Sequence, residues 1–149
     1  MKERALVLIK PDGMRKALVG QLLSQFLDGR LTLTGLKLVR VPRKLAEAHY
    51  GHLKGKFFFK QIVDYLVGDF HGGAPAVVMV FEGKGAIKKC RIIAGATNPE
   101  EAHPHSVRGK YGRITTSGVF ENLVHVSSDA QEARREVKLW FKSGELLAR

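Results

Sequence analysis

Apolar residues along the chain form short runs of two kinds, and both kinds predict β-strands. Ala5–Ile9 is continuously apolar and stops at Lys10-Pro11, which is typical of a strand buried on both faces. Leu31–Val41 instead alternates as LTLTGLKLVRV, the pattern of a strand with one covered face. Two further runs, at Ala76–Phe81 and Asn122–Ser127, complete a set of predicted strands spread over the whole chain.

Apolar residues three and four positions apart predict helices between these strands. The clearest stripe is Phe59, Ile62, Val63 and Leu66, in a helix beginning near Phe57. The other predicted helices are one capped by Asp12 that runs to Leu27, one at about Lys44–His52, one from Ala86 to Ala94 ended by Gly95, and one at Ala130–Phe141. Asn98-Pro99 predicts a further helix start, and residues 103–120 are predicted to be mostly loop.

The predicted elements follow the order β-α-β-α-α-β-α-loop-β-α. This order indicates an α+β fold, a ferredoxin-like antiparallel sheet with helices packed on it. The sequence contains no repeat, no low-complexity segment and no long linker. We therefore expect residues 1–149 to form a single domain, although the pattern does not specify the order of the strands.

The net charge and the lengths of the apolar runs limit the kinds of partner that the protein could bind. The 149 residues carry a formal net charge of +11, which attracts phosphates on nucleotides, nucleic acids or anionic membranes. No apolar run approaches the roughly 20 residues of a membrane span, so we expect no membrane partner. The one cysteine, Cys90, cannot form an internal disulfide, and with no signal peptide in view we expect a cytoplasmic protein.

The stretch ENLVHVSSDA places a histidine in an apolar run just before the last helix. His125 and Ser127 point to the same side of a strand, because side chains alternate along it. Glu136 lies on or beside the apolar face of the helix, where a carboxylate needs a partner. Together they could orient a histidine nucleophile or base. A core histidine beside a glutamate that reaches solvent is the alternative, and spacing alone favours it.

Other side chains are candidates for binding phosphate. Lys10 ends a buried strand just before a predicted helix start, where anions are favoured. Arg91 lies near Thr97 in sequence, and Arg108 lies in the turn SVRGKYG, where a guanidinium could bind phosphate oxygens bidentately. Each of these residues could equally be surface charge. The Walker pattern GxxxxGK[ST] is absent, which argues against a P-loop nucleotide site.

Two further patterns do not predict sites. KGKFFF at residues 54–59 is similar to an RNA-binding strand signature, but the helical spacing from Phe59 onward argues against a strand there. His71, His103 and His105 lack the cysteine or carboxylate spacing of a zinc site, so we interpret them as loop histidines.

Taken in order, several segments resemble those of nucleoside diphosphate kinases over about residues 3–141. They are VLIKPDG, LAEAHYGHLKGKFFF, AVVMVFEG, CRIIAGATNPEEA, SVRG and ENLVHVSSDAQEARREVKLWF. In that family, the histidine of an N-x-x-H-G-S-D motif takes a phosphoryl group from a nucleoside triphosphate and passes it to a diphosphate. The resemblance therefore implies a ping-pong phosphotransferase with His125 as nucleophile, and it reverses the preference for a core histidine.

The resemblance implies roles for the other candidates. Glu136 would hold the imidazole with Ser127 bonded into the same cluster, and Tyr50 would support the site. Lys10 would contact phosphate and the sugar hydroxyl, and Asn122 the sugar. Phe58 would stack on the base, which explains a low base selectivity. Arg91, Thr97 and Arg108 would bind the phosphates.

The resemblance also implies a cofactor and partners. Mg²⁺ would be bound mainly through the nucleotide phosphates, without dedicated protein ligands. The substrates would be nucleoside tri- and diphosphates. The protein would form a homo-oligomer, with a hexamer favoured over a tetramer or dimer.

Some positions depart from the family pattern. Val126 stands where the family has glycine, Ser128 and Asp129 occupy the places of an aspartate and a serine, and Lys110 replaces an aspartate. GDFHGGAP and GRITTSGVF look like insertions of a few residues. No residue assigned to catalysis is changed by these departures.

Two alternatives to the enzyme remain at this point. One is a basic ferredoxin-like module that binds nucleic acid, whose affinity would collapse with salt. The other is a catalytically impaired relative that only binds nucleotides. Contact with nucleic acid could also accompany the enzyme as a secondary property.

Overall fold

A four-stranded antiparallel sheet forms the centre of the computed structural model, which describes residues 2–147. The predicted domain thus extends beyond the described residues at positions 1, 148 and 149. The sheet has the order β2-β3-β1-β6, with antiparallel neighbours throughout, and β4 and β5 form a separate hairpin. This confirms the predicted α+β, ferredoxin-like fold. The strands are β1 (Lys2–Ile9), β2 (Thr32–Val39), β3 (Ala76–Lys84), β4 (Arg113–Ile114), β5 (Phe120–Glu121) and β6 (Val124–Val126).

Helices cover both faces of the sheet, which explains why β1 is apolar without alternation. Ala5, Val7 and Ile9 point into one core and Leu6 and Leu8 into the other. None of the helices in residues 2–147 combines the length and the hydropathy that crossing a bilayer requires. The α-helices are α1 (Pro11–Arg15), α2 (Val19–Leu27), α3 (Arg43–His49), α4 (Phe59–Val67), α5 (Ala86–Ala94), α6 (Val107–Tyr111) and α7 (Ala130–Trp140).

The prediction of one helix capped by Asp12 was wrong in two respects. It is divided into α1 and α2, because Ala17 adopts a φ of 56° that a helix cannot contain. Asp12 is also not its cap: the N-cap position is Lys10, and the Asp12 carboxylate instead accepts a hydrogen bond from the backbone N–H of Leu123 at 3.0 Å. The Asp12 side chain, which the local pattern assigned to helix capping, is thus used in a tertiary contact.

The region predicted to be mostly loop is more ordered than expected. Asn98 does start a turn, but this is a single 3-10 turn, Pro99–Glu101. Residues 103–120 then contain α6, capped by the Ser106 hydroxyl on the N–H of Gly109, and most of the β4–β5 hairpin. Strands of two residues are too short to produce a periodic signal, so the hairpin left no pattern in the sequence.

Candidate active site

Most residues predicted for the site line one cavity of about 350 Å³ where β1 and β6 end beside α5 and α6. The remaining two, Ser127 and Glu136, lie behind His125 in the protein interior. The structure therefore brings the predicted set together. The predicted residues on the cavity wall are Lys10, Tyr50, Phe58, Arg91, Thr97, Arg108, Asn122 and His125.

The end of β1 and the start of β6 are joined through Leu123. The backbone N–H of Lys10 donates to the Leu123 carbonyl at 2.8 Å, and the Leu123 N–H donates to Asp12 at 3.0 Å. Leu123 has a φ of 70°, a conformation that a leucine adopts only when its surroundings hold it there. This kink lets Asn122, before it, and His125, after it, both line the cavity beside Lys10.

Hydrogen bonds connect the histidine to its predicted partners. His125 Nε2 lies 2.8 Å from Glu136 Oε1, and the Ser127 hydroxyl donates to Glu136 Oε2 at 2.5 Å. Glu136 is only 1% exposed, and both of its oxygens have the partners that a buried carboxylate requires. Because a carboxylate accepts, Nε2 carries the hydrogen, and the neutral ring then has its lone pair on Nδ1. Nδ1 is therefore the nitrogen that can attack an electrophile.

His49 is a part of the site that the sequence reasoning missed. Its ring meets the His125 ring edge-on, with 4.4 Å between centroids, and its Nδ1 accepts a hydrogen bond from the Trp140 indole at 3.0 Å. Burial, followed by the charge of a protonated His125, holds the pKa of His49 well below its usual range. His49 thus packs a neutral ring against His125. It directly precedes Tyr50 in the segment LAEAHYGH, which was the available signal.

Lys10 is almost completely buried at the floor of the cavity. Its ammonium donates to the Asn122 side-chain oxygen and lies 4.5 Å from the centre of the Tyr65 ring. Burial lowers the pKa of Lys10 to about 8, against the opposing charge of Asp12 and with a smaller contribution from Arg108. An anion in the cavity would favour the protonated form of this lysine and raise its pKa again, so the side chain is suited to phosphate.

Arg108 makes structural hydrogen bonds, in addition to being predicted to bind phosphate. Its three nitrogens donate to the carbonyls of Gly95 at 2.8 Å, Val124 at 2.7 Å and Asn122 at 3.3 Å. A guanidinium has five N–H groups, so about two remain for an anion. Burial, and next the charge of Arg91, lowers the pKa of Arg108 to about 10.

A second cavity of about 460 Å³ continues from the first and shares Lys10, Tyr50, Phe58, Ile62, Thr97 and Asn122 with it. Its further lining is mostly apolar and aromatic. Sequence reasoning missed these residues, because they come from α4, from the turn just before it, and from the region predicted as loop. They are Phe57, Gln61, Tyr65, Gly118, Val119 and Phe120.

Within residues 2–147, one cluster has the composition of a metal site: His49, His125 and Glu136, whose donor atoms lie within 4.8 Å of one another. Its two imidazoles do not suit Mg²⁺, which prefers oxygen ligands, and His125 and Glu136 are bonded to each other. The 350 Å³ cavity has no Asp or Glu among its described lining residues. A magnesium ion there would take its ligands from bound phosphates and water.

Residues 3–146 match the family described as "Nucleoside diphosphate kinase". The chain belongs to the nucleoside diphosphate kinase family. The family member from Thermococcus kodakarensis is 42% identical over 97% of this chain and 79% of its own length. The one from Acaryochloris marina is 43% identical over 97% of this chain and 91% of its own length.

Solved structures of nucleoside diphosphate kinases have the same fold. A halophilic enzyme from Halobacterium salinarum, in complex with CDP, superposes with a TM-score of 0.89 at 32% identity, covering 100% of this chain and 93% of its own. The structure of the Borrelia burgdorferi enzyme, a transition-state mimic with bound vanadate and ADP, superposes with a TM-score of 0.89 at 26% identity. The match covers 99% of this chain and 92% of that one. Fold and family therefore agree over nearly the entire chain.

The departures from the family motif fit this structure. Val126, in place of glycine, lies in β6 opposite Val7, and it is not among the residues with positive φ. A branched side chain suits such a backbone. Asp129, in place of serine, is the N-cap of α7 and accepts from the N–H groups of Gln131 and Glu132, both at 2.9 Å. The helix that carries Glu136 therefore keeps a strong cap.

Proposed function

We propose that this protein transfers the γ-phosphoryl group of a nucleoside triphosphate to a nucleoside diphosphate through a phosphohistidine at His125. The observation that carries the proposal is the 2.8 Å contact of His125 Nε2 with buried Glu136, at the wall of a cavity lined by cationic side chains. A histidine that needed only a core partner would not require Lys10, Arg91 and Arg108 around the same space.

In the first half-reaction, Nδ1 of His125 attacks the γ-phosphorus. A P–N bond forms, the bond to the β,γ-bridging oxygen breaks, and the nucleoside diphosphate leaves. The phosphorylated ring bears positive charge, and Glu136 stabilises it through Nε2–H while Ser127 holds the carboxylate. The second half-reaction reverses these steps onto another diphosphate, which makes the kinetics ping-pong.

Cationic side chains supply the charge neutralisation that phosphoryl transfer requires. We assign the phosphates to Arg91, Thr97, the remaining N–H groups of Arg108, and Lys10. Mg²⁺ bound to the phosphates would neutralise further charge on the transferred group. Because Lys10 and Arg108 are held by hydrogen bonds within the protein, these two side chains can stabilise the transition state without rearranging.

The aromatic part of the site is assigned to the nucleoside. Phe58 lies on the wall shared by both cavities and would stack on the base, while Asn122 and Lys10 would bind the sugar. Stacking uses the π-face that every base possesses, so little base selectivity is expected. Tyr50 lies 6.4 Å from the His125 ring, centroid to centroid, and would support the site from the side.

A two-step label transfer tests this function. The protein is incubated with Mg²⁺ and γ-labelled ATP, isolated, tested for acid lability of the label, and then mixed with unlabelled GDP. We expect acid-labile label on the protein that GDP discharges as GTP. Chelating the divalent metal should suppress labelling, and adding Mg²⁺ back should restore it. Nucleotide binding without any label would contradict the proposal.

We further propose that the protein is a homo-oligomer that uses edge strand β2 around Leu36 and Leu38, beyond the Thr34 carbonyl that accepts from the Leu147 N–H at 2.8 Å. This strand is at the edge of the sheet and exposes two leucines on one face, Leu36 at 51% and Leu38 at 64%. An exposed edge strand with apolar side chains is the kind of surface that proteins normally cover. A hexamer remains our preferred assembly over a tetramer or dimer.

Substituting Leu38→Glu should shift the assembly toward smaller species, because it places a charge in the apolar contact. Size-exclusion chromatography with light scattering measures this at a fixed protein concentration. Ile92→Glu, at a residue on α5 that is 66% exposed, is the matched control and should leave the mass unchanged. A wild-type monomer, or an unchanged assembly in Leu38→Glu, would refute the role of this edge.

We also propose that the chain forms one domain and works in the cytoplasm. The two cores lie on opposite faces of a single sheet, which supports one domain. Cys90, the only cysteine, is buried as a free thiol, which suits a reducing compartment.

A further inference from the structure

Residues 68–75 and 111–120, the two segments that look like insertions, face each other in the structure. A crevice of about 220 Å³ separates them, lined by Phe70 and His71 on one side and by Thr115, Ser117 and Val119 on the other. Val119 also lines the nucleoside part of the active site. The two segments therefore form one surface unit that adjoins the nucleotide cavity.

Glu121 connects the two segments to each other and to the rest of the protein through its carboxylate. It is 6% exposed, and its carboxylate lies 2.8 Å from Arg113, 3.0 Å from Lys16 and 3.3 Å from His71 Nε2. Hydrogen bonds, first from Arg113 and then from Lys16 and His71, outweigh burial and lower the pKa of Glu121 to about 2. A carboxylate only accepts, so His71 must donate its Nε2–H to Glu121.

Two series of side-chain contacts, which we call routes, connect His71 to the residues that would bind the sugar. Through Glu121, it reaches Asn122, whose side chain accepts from Lys10 and donates to the Thr97 carbonyl at 3.0 Å. Through its ring, it packs edge-on against Tyr65 with 5.0 Å between centroids, and Lys10 lies over that same Tyr65 ring. Both routes end at the pair of Lys10 and Asn122.

We propose that His71 and Glu121 are positioning residues that hold Lys10 and Asn122 in place for the nucleotide. The inference rests on the proposed function, since it assigns the sugar to that pair. It gives the two additional segments one shared role. His71 at 8% exposure and Glu121 at 6% are shielded from water, so their hydrogen bond is not weakened as a surface contact would be.

Two substitutions at His71 test the role. His71→Leu removes the donor but retains an apolar side chain of similar bulk, whereas the amide of His71→Gln can still donate to Glu121. KM and kcat are measured for GDP at saturating ATP, from the GTP formed. Labelling of His125 is measured in parallel with phosphoramidate, a phosphoryl donor without base or sugar, which reports on the nucleophile apart from the nucleoside pocket.

We expect His71→Leu to raise the KM for GDP about tenfold, within the range of couplings in a shared hydrogen-bond network, while kcat and phosphoramidate labelling stay within about twofold. His71→Gln should recover most of the lost affinity. Glu121→Gln should raise KM similarly, and the double variant His71→Leu/Glu121→Gln should raise it much less than the two single effects combined.

Three results would overturn the inference. The first is an unchanged KM in His71→Leu. The second is a loss of phosphoramidate labelling and of nucleotide turnover in equal measure, which would indicate a general loss of structure. The third is an equal defect in His71→Gln and His71→Leu. Failure of the proposed function would look different, because the unsubstituted protein would then take no label from either donor.

Discussion

His125→Ala should abolish phosphoryl transfer between nucleotides, with a fall in kcat on the order of 10⁴-fold or more, because the atom that forms the covalent intermediate is removed. The fall is measured as GTP formed from ATP and GDP, and as label retained on the protein after incubation with γ-labelled ATP. Binding of ADP should largely survive. The imidazole ring supplies only part of the cavity wall, while the cationic side chains remain.

His105→Ala is the matched control for this substitution. His105 is an exposed loop histidine next to α6 and lies outside the lining of both nucleotide cavities. Its loss should leave labelling and turnover unchanged. Stable, acid-labile label on His125→Ala would show that another residue accepts the phosphoryl group, and the mechanism would have to be reassigned.

Glu136→Gln should lower kcat roughly 10²-fold, a size common for a lost acid–base partner, and leave nucleotide affinity close to that of the unsubstituted protein. The amide has the shape of the carboxylate but can present either an acceptor or a donor to His125 Nε2. When it donates, the ring hydrogen moves to Nδ1 and the nucleophilic lone pair is lost. When it accepts, it still lacks the negative charge that stabilises the phosphorylated ring.

Single-turnover labelling separates this effect from binding. The rate constant for phosphorylation at saturating ATP should fall, whereas its half-saturating concentration should change little. Glu47→Gln removes an exposed carboxylate from α3 as the matched control and should behave as the unsubstituted protein. If Glu136→Gln retained the full rate, the contact with His125 would serve packing alone.

Strands and helices with strong periodicity could be predicted from the sequence, and the sheet follows from them. The Ala5–Ile9 run lies within β1 because both faces of that strand are covered. Asp12 was assigned wrongly because its partner, Leu123, is 111 residues away, and no local pattern contains such a contact. The β4–β5 hairpin was missed since each strand has only two residues.

The site could be predicted as a set of residues, but its internal geometry could not. Spacing allowed His125, Ser127 and Glu136 to form a cluster, the resemblance to the family made that cluster the preferred interpretation, and the structure joins the three by hydrogen bonds. His49, Tyr65 and Glu121 were not predicted, because their importance depends on which distant residues they contact. Similarly, nothing in the turn SVRGKYG reveals that Arg108 donates to three carbonyls.

The chain joins β1 to β6 and fastens His125 to α7, so that the nucleophile depends on segments from both ends of the sequence. This has a consequence during synthesis on the ribosome. A nascent chain that has exposed His125 still lacks Glu136 to orient the ring and Trp140 to hold His49 against it. His125 on a partly made chain therefore lacks the contacts that orient and activate it, and we expect it to react only slowly with nucleotides. Catalytic competence arrives late, once the final helix has emerged and docked.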